Sequence, residues 1–224
     1  MLTLVSPDIR LMISVSSNRD WKQGFCTSYL ALLNRLLTNR LGGRLGGLDL
    51  QSAITGGAML SQIREDSLQL ALDGNFTHWL SLDDDMTFPA DCAERLFSHG
   101  KQVVTANYMR KTPNEVKGVC LDVKGQFLDS RGKTGLEQLW GMGMGMTLIA
   151  LEPLRKTAAP RFEGKWNAEH RRYWGEDYAF CQLLHRLEIP IWCDHDLSRE
   201  MGHVGDFVFK FSDYEIVPQL DKAA

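Results

Sequence analysis

Asp83, Asp84 and Asp85 stand side by side at the end of the apolar run Trp79-Leu80-Ser81-Leu82. Adjacent carboxylates repel one another unless a cation offsets the charge, and hard oxygen ligands suit magnesium, manganese or calcium. Alternate residues of an extended segment point the same way, so Asp83 and Asp85 are the pair expected to share one ion. The competing reading is a solvated acidic turn that caps the next helix, but one residue suffices for a cap and Thr87 is as well placed. A second acidic pair, Glu176-Asp177, opens an amphipathic segment in which Phe180, Leu183, Leu184 and Leu187 recur at helical spacing. Carboxylates there stabilise a helix N-terminus. The helix dipole also favours their ionised form. His195 after Cys193 hints at zinc, yet no four-ligand spacing accompanies it.

These residues need a scaffold. Ile9 to Ser17 is a continuous apolar run ending in Ser16, Ser17 and Asn18, suited to a strand buried on both faces. Helical spacing follows at Tyr29, Leu33 and Leu36, then a glycine-rich stretch, Leu41 to Gly47, that lacks the ending of a phosphate-cradling loop. A helix is expected over Ala58–Gly74, carrying Arg64, and a strand leads into the aspartates. Pro89 to Gly100 reads as a short helix and Gln102 to Tyr108 as a strand. The order strand, helix, helix, strand, helix, strand implies a mainly parallel sheet covered by helices. Further on, a hairpin is expected to turn at Lys124-Gly125, a strand to run from Met144 to Leu151, and a last short strand to form at Pro190–Cys193. In open sheets of this kind ligands bind beyond the carboxyl ends of the strands, where the acidic triplet would sit.

The segment THWLSLDDDMTFPADCAERLFSHGKQVVTANYMRK, from Thr77 to Lys111, resembles the nucleotide-sugar glycosyltransferases of the GT-A fold. It follows their course of strand, Asp-x-Asp, helix, strand, aromatic and basic pair. Tyr173 to His203 is similar to the family's Glu-Asp segment, its helix, an apolar strand and a later histidine. The resemblance implies an α/β fold with a mixed, mainly parallel sheet, flanking helices and a small hairpin. It implies manganese or magnesium held by Asp83 and Asp85, with Asp84 beside them and His203 completing the site. It implies Asp177, with Glu176 as neighbour, as general base in an inverting enzyme. A nucleoside diphosphate sugar, expected to be a UDP-sugar, would lie against Ser16, Ser17, Asn18 and Arg64. Gly143 and Gly145 would let substrate approach the backbone closely.

The 224 residues, 44% hydrophobic, allow one sizeable core, and one domain over 1–224 is expected, with a loose tail at 219–224. The net charge of -3 does not mark the whole chain as a binder of nucleic acid or anionic membrane, and it leaves local basic patches open. Five scattered cysteines without a CxxC pair read as free thiols. No apolar stretch approaches a membrane span and no basic leader opens the chain, so a cytoplasmic protein is expected. The basic and aromatic stretch Lys165 to Trp174 is the candidate acceptor contact. The acceptor hydroxyl could belong to a glycan, a lipid-linked sugar or a modified DNA base. Two other readings use the same residues. A metal-dependent phosphohydrolase or nuclease would want further carboxylates set for two metals. A non-catalytic nucleotide-sugar-binding module would bind donor and metal without needing Asp177.

Overall fold

The computed structural model describes residues 9–17, 20–39, 49–57, 59–112, 115–168, 171–205 and 208–213. The first part contains β1 (Arg10–Ser17), α1 (Gln23–Asn39), β2 (Asp49–Gly56), α2 (Leu60–Asp73) and β3 (His78–Asp83). Next come β4 (Met86–Thr87), α3 (Cys92–Ser98), β5 (Val103–Thr105), β6 (Leu121–Asp122), β7 (Leu136–Gly141) and β8 (Met146–Ala150). The last part holds β9 (Lys165–Asn167), β10 (Arg172–Trp174), α4 (Glu176–Arg186), β11 (Ile191–Asp194), α5 (His195–Ser198), β12 (Gly202–Val204) and β13 (Val208–Phe209). Asn18, the Leu41–Gly47 stretch and the expected tail lie outside the described residues.

Eight strands make the main sheet in the order β2-β1-β3-β8-β5-β11-β7-β6. β1 is parallel to β2 and β3, and β5 is parallel to β11. β8 runs antiparallel between β3 and β5, and β7 runs antiparallel between β11 and β6. All the other strands of this sheet therefore point one way, as the mainly parallel expectation requires.

β1 is buried from Leu11 onward, which its unbroken apolar run demands. Its alternate side chains divide between two cores. Leu11, Ile13 and Val15 pack with Phe25, Leu32 and Leu36 of α1 and Leu96 of α3. Met12 packs on the other face with Leu68 and Ala71 of α2, and Phe180 and Leu184 of α4 share that core. Two residues of opposite parity thus serve two helix layers, and α2 and α4 come to lie on the same side of the sheet.

Three expectations need correction. β2 stands between α1 and α2, where two successive helices were expected. Asp49, Gln51, Ser52 and Thr55 interrupt its apolar residues, because an edge strand needs no continuous apolar run. The Gln102–Tyr108 strand shrinks to Val103–Thr105. The strand expected last, now Ile191–Asp194, is followed by β12 and β13. The hairpin turn is present at Lys124-Gly125, where Gly125 takes a positive φ of 75° and donates its N–H to the Asp122 carbonyl at 2.9 Å. All five cysteines are free. Among the described residues no helix is long and apolar enough to cross a membrane.

Candidate active site

The acidic triplet leaves the carboxyl end of β3, beside the end of β1, because the parallel register sets Asp83 opposite Ser16. Ser17 Oγ donates to Asp84 Oδ2 at 2.5 Å. The Ser16 hydroxyl is buried and has no hydrogen-bond partner among the described residues. An unmet polar atom of this kind marks a place for a ligand group or water. β3 ends at Asp83, and Asp84 and Asp85 form a turn. The alternation argument for a shared ion stops with the strand, so Asp83 and Asp85 face different partners.

Asp83 faces Arg64. Its two oxygens lie 3.1 and 3.2 Å from Arg64 Nη2. Arg64 is 3% exposed, and its Nη1 binds Glu176 Oε1. One guanidinium from α2 therefore ties the end of β3 to the first turn of α4. Burial works against the Arg64 charge, but Asp83, Glu176 and Asp177 outweigh it and hold the guanidinium firmly protonated. Arg64 was expected beside the donor, and its planar fork is spent on two carboxylates.

Asp85 faces Lys111, which binds its Oδ2, and His203, whose Nε2 lies 3.5 Å from Oδ1. β12 brings the histidine there by pairing antiparallel with β4, with His203 opposite Met86, and the Val204 N–H donates to the Asp85 carbonyl at 2.7 Å. His203 Nδ1 donates to the Met109 carbonyl at 2.8 Å. A carbonyl only accepts, so Nδ1 carries the proton and Nε2 is left toward Asp85, the second-shell arrangement of metal-ligating histidines. Burial pushes the Asp85 carboxyl up, yet the Lys111 ammonium and the His203 ring, when it is protonated and donates from Nε2, overcome it and hold the group at about 2. Asp84 is shifted upward by burial and by its two acidic neighbours, against the Ser17 hydrogen bond. No three histidine, cysteine or acidic side chains gather as a ready metal site among the described residues. The donor set is one carboxylate and one imidazole, which suits a cation that also binds phosphate oxygens and water.

Asp177 opens α4 next to Glu176. Burial and the Glu176 charge push its carboxyl up to about 6, against the Arg64 charge and the Tyr178 N–H, which donates at 2.7 Å. The helix dipole alone would have kept the group ionised, but desolvation wins here. Such a carboxyl exchanges protons near neutrality, as a general base should. Asp177 also lines a cleft of about 740 Å³, together with Trp140, Trp174 and Tyr178 and the Lys124–Phe127 turn. Among the described residues Asp177 is the only carboxylate in that lining.

Gly143 and Gly145 do not face open space. A Cβ on Gly143 would stand 2.6 Å from the Tyr108 hydroxyl, and one on Gly145 would stand 2.7 Å from it and 3.1 Å from Asp83 Oδ2. The close approach these glycines permit is that of Tyr108, whose hydroxyl accepts the Gly145 N–H at 3.1 Å. The Tyr108 ring also packs edge-on against His203, with centroids 5.1 Å apart. Met142, Met144 and Met146 are buried packing residues. His195 is likewise structural, held by Ser130 at 3.0 Å and Glu137 at 2.9 Å. Tyr108 and Lys111 received no individual role from the sequence, although both stand in the aromatic-basic end of the Thr77–Lys111 segment.

No family model and no curated protein sequence matches the chain. Solved structures do. The crystal structure of A197 from STIV is similar at a TM-score of 0.57 and 20% identity, over 88% of this chain and 87% of that one. The crystal structure of GalNAc-T7 with UDP, GalNAc and Mn2+ is similar at a TM-score of 0.54 and 10% identity, over 89% of this chain. The match spans 44% of the GalNAc-T7 chain. At these identities the likeness is one of architecture, and the architecture is GT-A-like: a mixed, mainly parallel α/β sheet flanked by helices.

Proposed function

We propose that this protein is a metal-dependent glycosyltransferase that moves a sugar from a nucleoside diphosphate sugar, a UDP-sugar, to a hydroxyl acceptor. The observation that carries the reading is the position of Asp177. It borders the acidic turn through Glu176 and Arg64, and it lines the aromatic cleft. Donor and acceptor would meet at that junction. The UDP and Mn2+ in the GalNAc-T7 structure support the choice of nucleotide and metal.

Asp85 and His203 would hold manganese or magnesium. Such an ion acts as a Lewis acid on the departing diphosphate. Lys111 adds a positive charge beside Asp85, where it can follow the phosphate charge. Ser16 and Ser17 would face the nucleotide, and the Ser16 hydroxyl, which has no partner among the described residues, could bond the donor. Arg64 holds Asp83 and Glu176 in place. In a direct displacement the acceptor oxygen attacks the anomeric carbon as the bond from that carbon to the diphosphate oxygen breaks. The electron pair leaves with the diphosphate, and the acceptor proton passes to the ionised Asp177 carboxylate. A positioned base of this kind contributes about 10²–10⁴-fold.

The test is thermal unfolding with UDP, GDP, CDP and dTDP, each with and without manganese, for the wild type and Asp85→Ala. A ligand that binds only the folded state raises the melting temperature by mass action. The reading expects a manganese-dependent rise with UDP that Asp85→Ala abolishes. A rise with manganese alone and none with any nucleotide would remove the donor site and favour a hydrolase or a structural metal protein.

A further inference from the structure

Resting on the transferase reading, we infer that the acceptor is a nucleic-acid strand, bound in the cleft beside Asp177 and presenting its acceptor hydroxyl there. The cleft combines flat apolar faces with unpaired positive charge. Trp140 meets Trp174 edge-on at 5.1 Å and lies 6.3 Å from Tyr178, so three rings surround the approach to Asp177. The β9–β10 ribbon carries the aromatic surface outward. Trp166 and Tyr173 face each other across it at 5.2 Å, yet are 55% and 74% exposed. An exposed aromatic pair continuous with a cleft marks a binding surface.

The cleft also carries basic groups. The Arg110 guanidinium lies over the Phe127 ring at 5.2 Å, and Lys117 lies over the same ring at 4.7 Å. Lys117 is paired with Glu115 at 2.9 Å. Arg110 and Lys124 line the cleft, are exposed, and have no carboxylate partner among the described residues. In a chain of net charge -3 these two cations belong to a lining whose sole carboxylate among the described residues is Asp177. A neutral glycan would call for several carboxylates or amides to accept from its hydroxyls, and among the described residues this lining offers Asp177 and Gln126, with the Tyr173 and Tyr178 hydroxyls beside them. Stacking rings beside free cations instead match the bases and phosphates of a single strand. Bases held in a duplex stack could not lie against these rings, so the strand must be unpaired where it binds.

The experiment measures binding without turnover. A fluorescently labelled oligothymidine single strand is titrated with the wild type by anisotropy, at salt from about 50 to about 200 mM. Neutral dextran and heparin serve as competitors. Two phosphate contacts predict a slope of about -1.4 for log affinity against log salt, at roughly 0.7 per contact on a single strand. The double variant Arg110→Ala, Lys124→Ala should bind more weakly with a slope near zero. Tyr173→Ala should bind more weakly with the slope unchanged. All three positions are exposed, so unchanged melting temperatures are expected and checked. No strand binding, binding indifferent to these changes, or displacement of the strand by dextran would overturn the inference. Displacement by heparin that Tyr173→Ala leaves unaltered would overturn it too, in favour of an anionic glycan. A manganese-dependent UDP shift without strand binding refutes this inference alone. Strand binding without that shift refutes the transferase reading, and with it the acceptor role.

Discussion

Replacing Asp177 by asparagine should inactivate the protein and make it more stable. The carboxyl is pushed from its ordinary 3.8 up to about 6 by burial and by Glu176. A raised carboxyl pKa means that the folded state holds the proton more tightly than the unfolded chain. Between about pH 4 and pH 6 the folded state binds more protons, so stability falls as pH rises through that window. Above it the cost of keeping the folded carboxylate ionised is constant. A shift of about two units corresponds to roughly 3 kcal/mol as an upper bound, and partial solvent access lowers it. Asparagine keeps the shape and an oxygen for the Tyr178 N–H, and carries no charge beside Glu176. Asp177→Asn should therefore gain about 1–3 kcal/mol at pH 7, or roughly 2–10 °C in melting temperature for a chain of this size. At pH 4, where the wild-type group is protonated, the gain should vanish. Sugar transfer should drop by about 10²-fold or more, and the UDP-dependent thermal shift should persist. Wild-type turnover should rise with pH through about 6. The assays are thermal unfolding across pH and release of nucleoside diphosphate. A variant less stable than the wild type at pH 7, or a stability difference that ignores pH, would refute the burial argument. Full turnover in Asp177→Asn would refute the base assignment.

Arg64→Ala leaves Asp83 and Glu176 facing each other without their shared cation, and should cost about 3–5 kcal/mol in urea unfolding. Arg64→Lys should recover only part of that loss, since an ammonium lacks the fork that reaches both carboxylates. Gly145→Ala places a Cβ 2.7 Å from the Tyr108 hydroxyl and 3.1 Å from Asp83 Oδ2, so it should cost about 1–3 kcal/mol and weaken the UDP-dependent shift. Gly125→Ala meets nothing within 4 Å and should cost only the strain of its φ of 75°, about 1–2 kcal/mol, with the shift intact.

Much of the scaffold is legible in the chain because its signals are local. The unbroken apolar run of β1, the run entering Asp83 and the i, i+3, i+4, i+7 spacing of α4 each fall within a short window. Each is bounded by residues that end such elements. The acidic triplet and the Glu176-Asp177 pair are legible because unlike chemistry at the end of an apolar run stands out. β2 escapes this reading because it sits at a sheet edge, where paired backbone on one side can hold a polar sequence.

The partners of each site residue are a different matter. Arg64 meets Glu176 across 112 positions only because α2 and α4 pack on the same face of the sheet. His203 reaches Asp85 only because β12 pairs with β4. The space before Gly143 and Gly145 is closed by Tyr108, which comes from the loop after β5. Asp177 would be an ordinary ionised helix-capping residue on local grounds, and burial beside Glu176 lifts it toward neutrality. Secondary structure follows from interactions a few residues apart, which the order of residues records directly. Ion pairs, tautomers, shifted pKa values and clefts follow from which faces bury together, and that is decided by the packing of the whole chain.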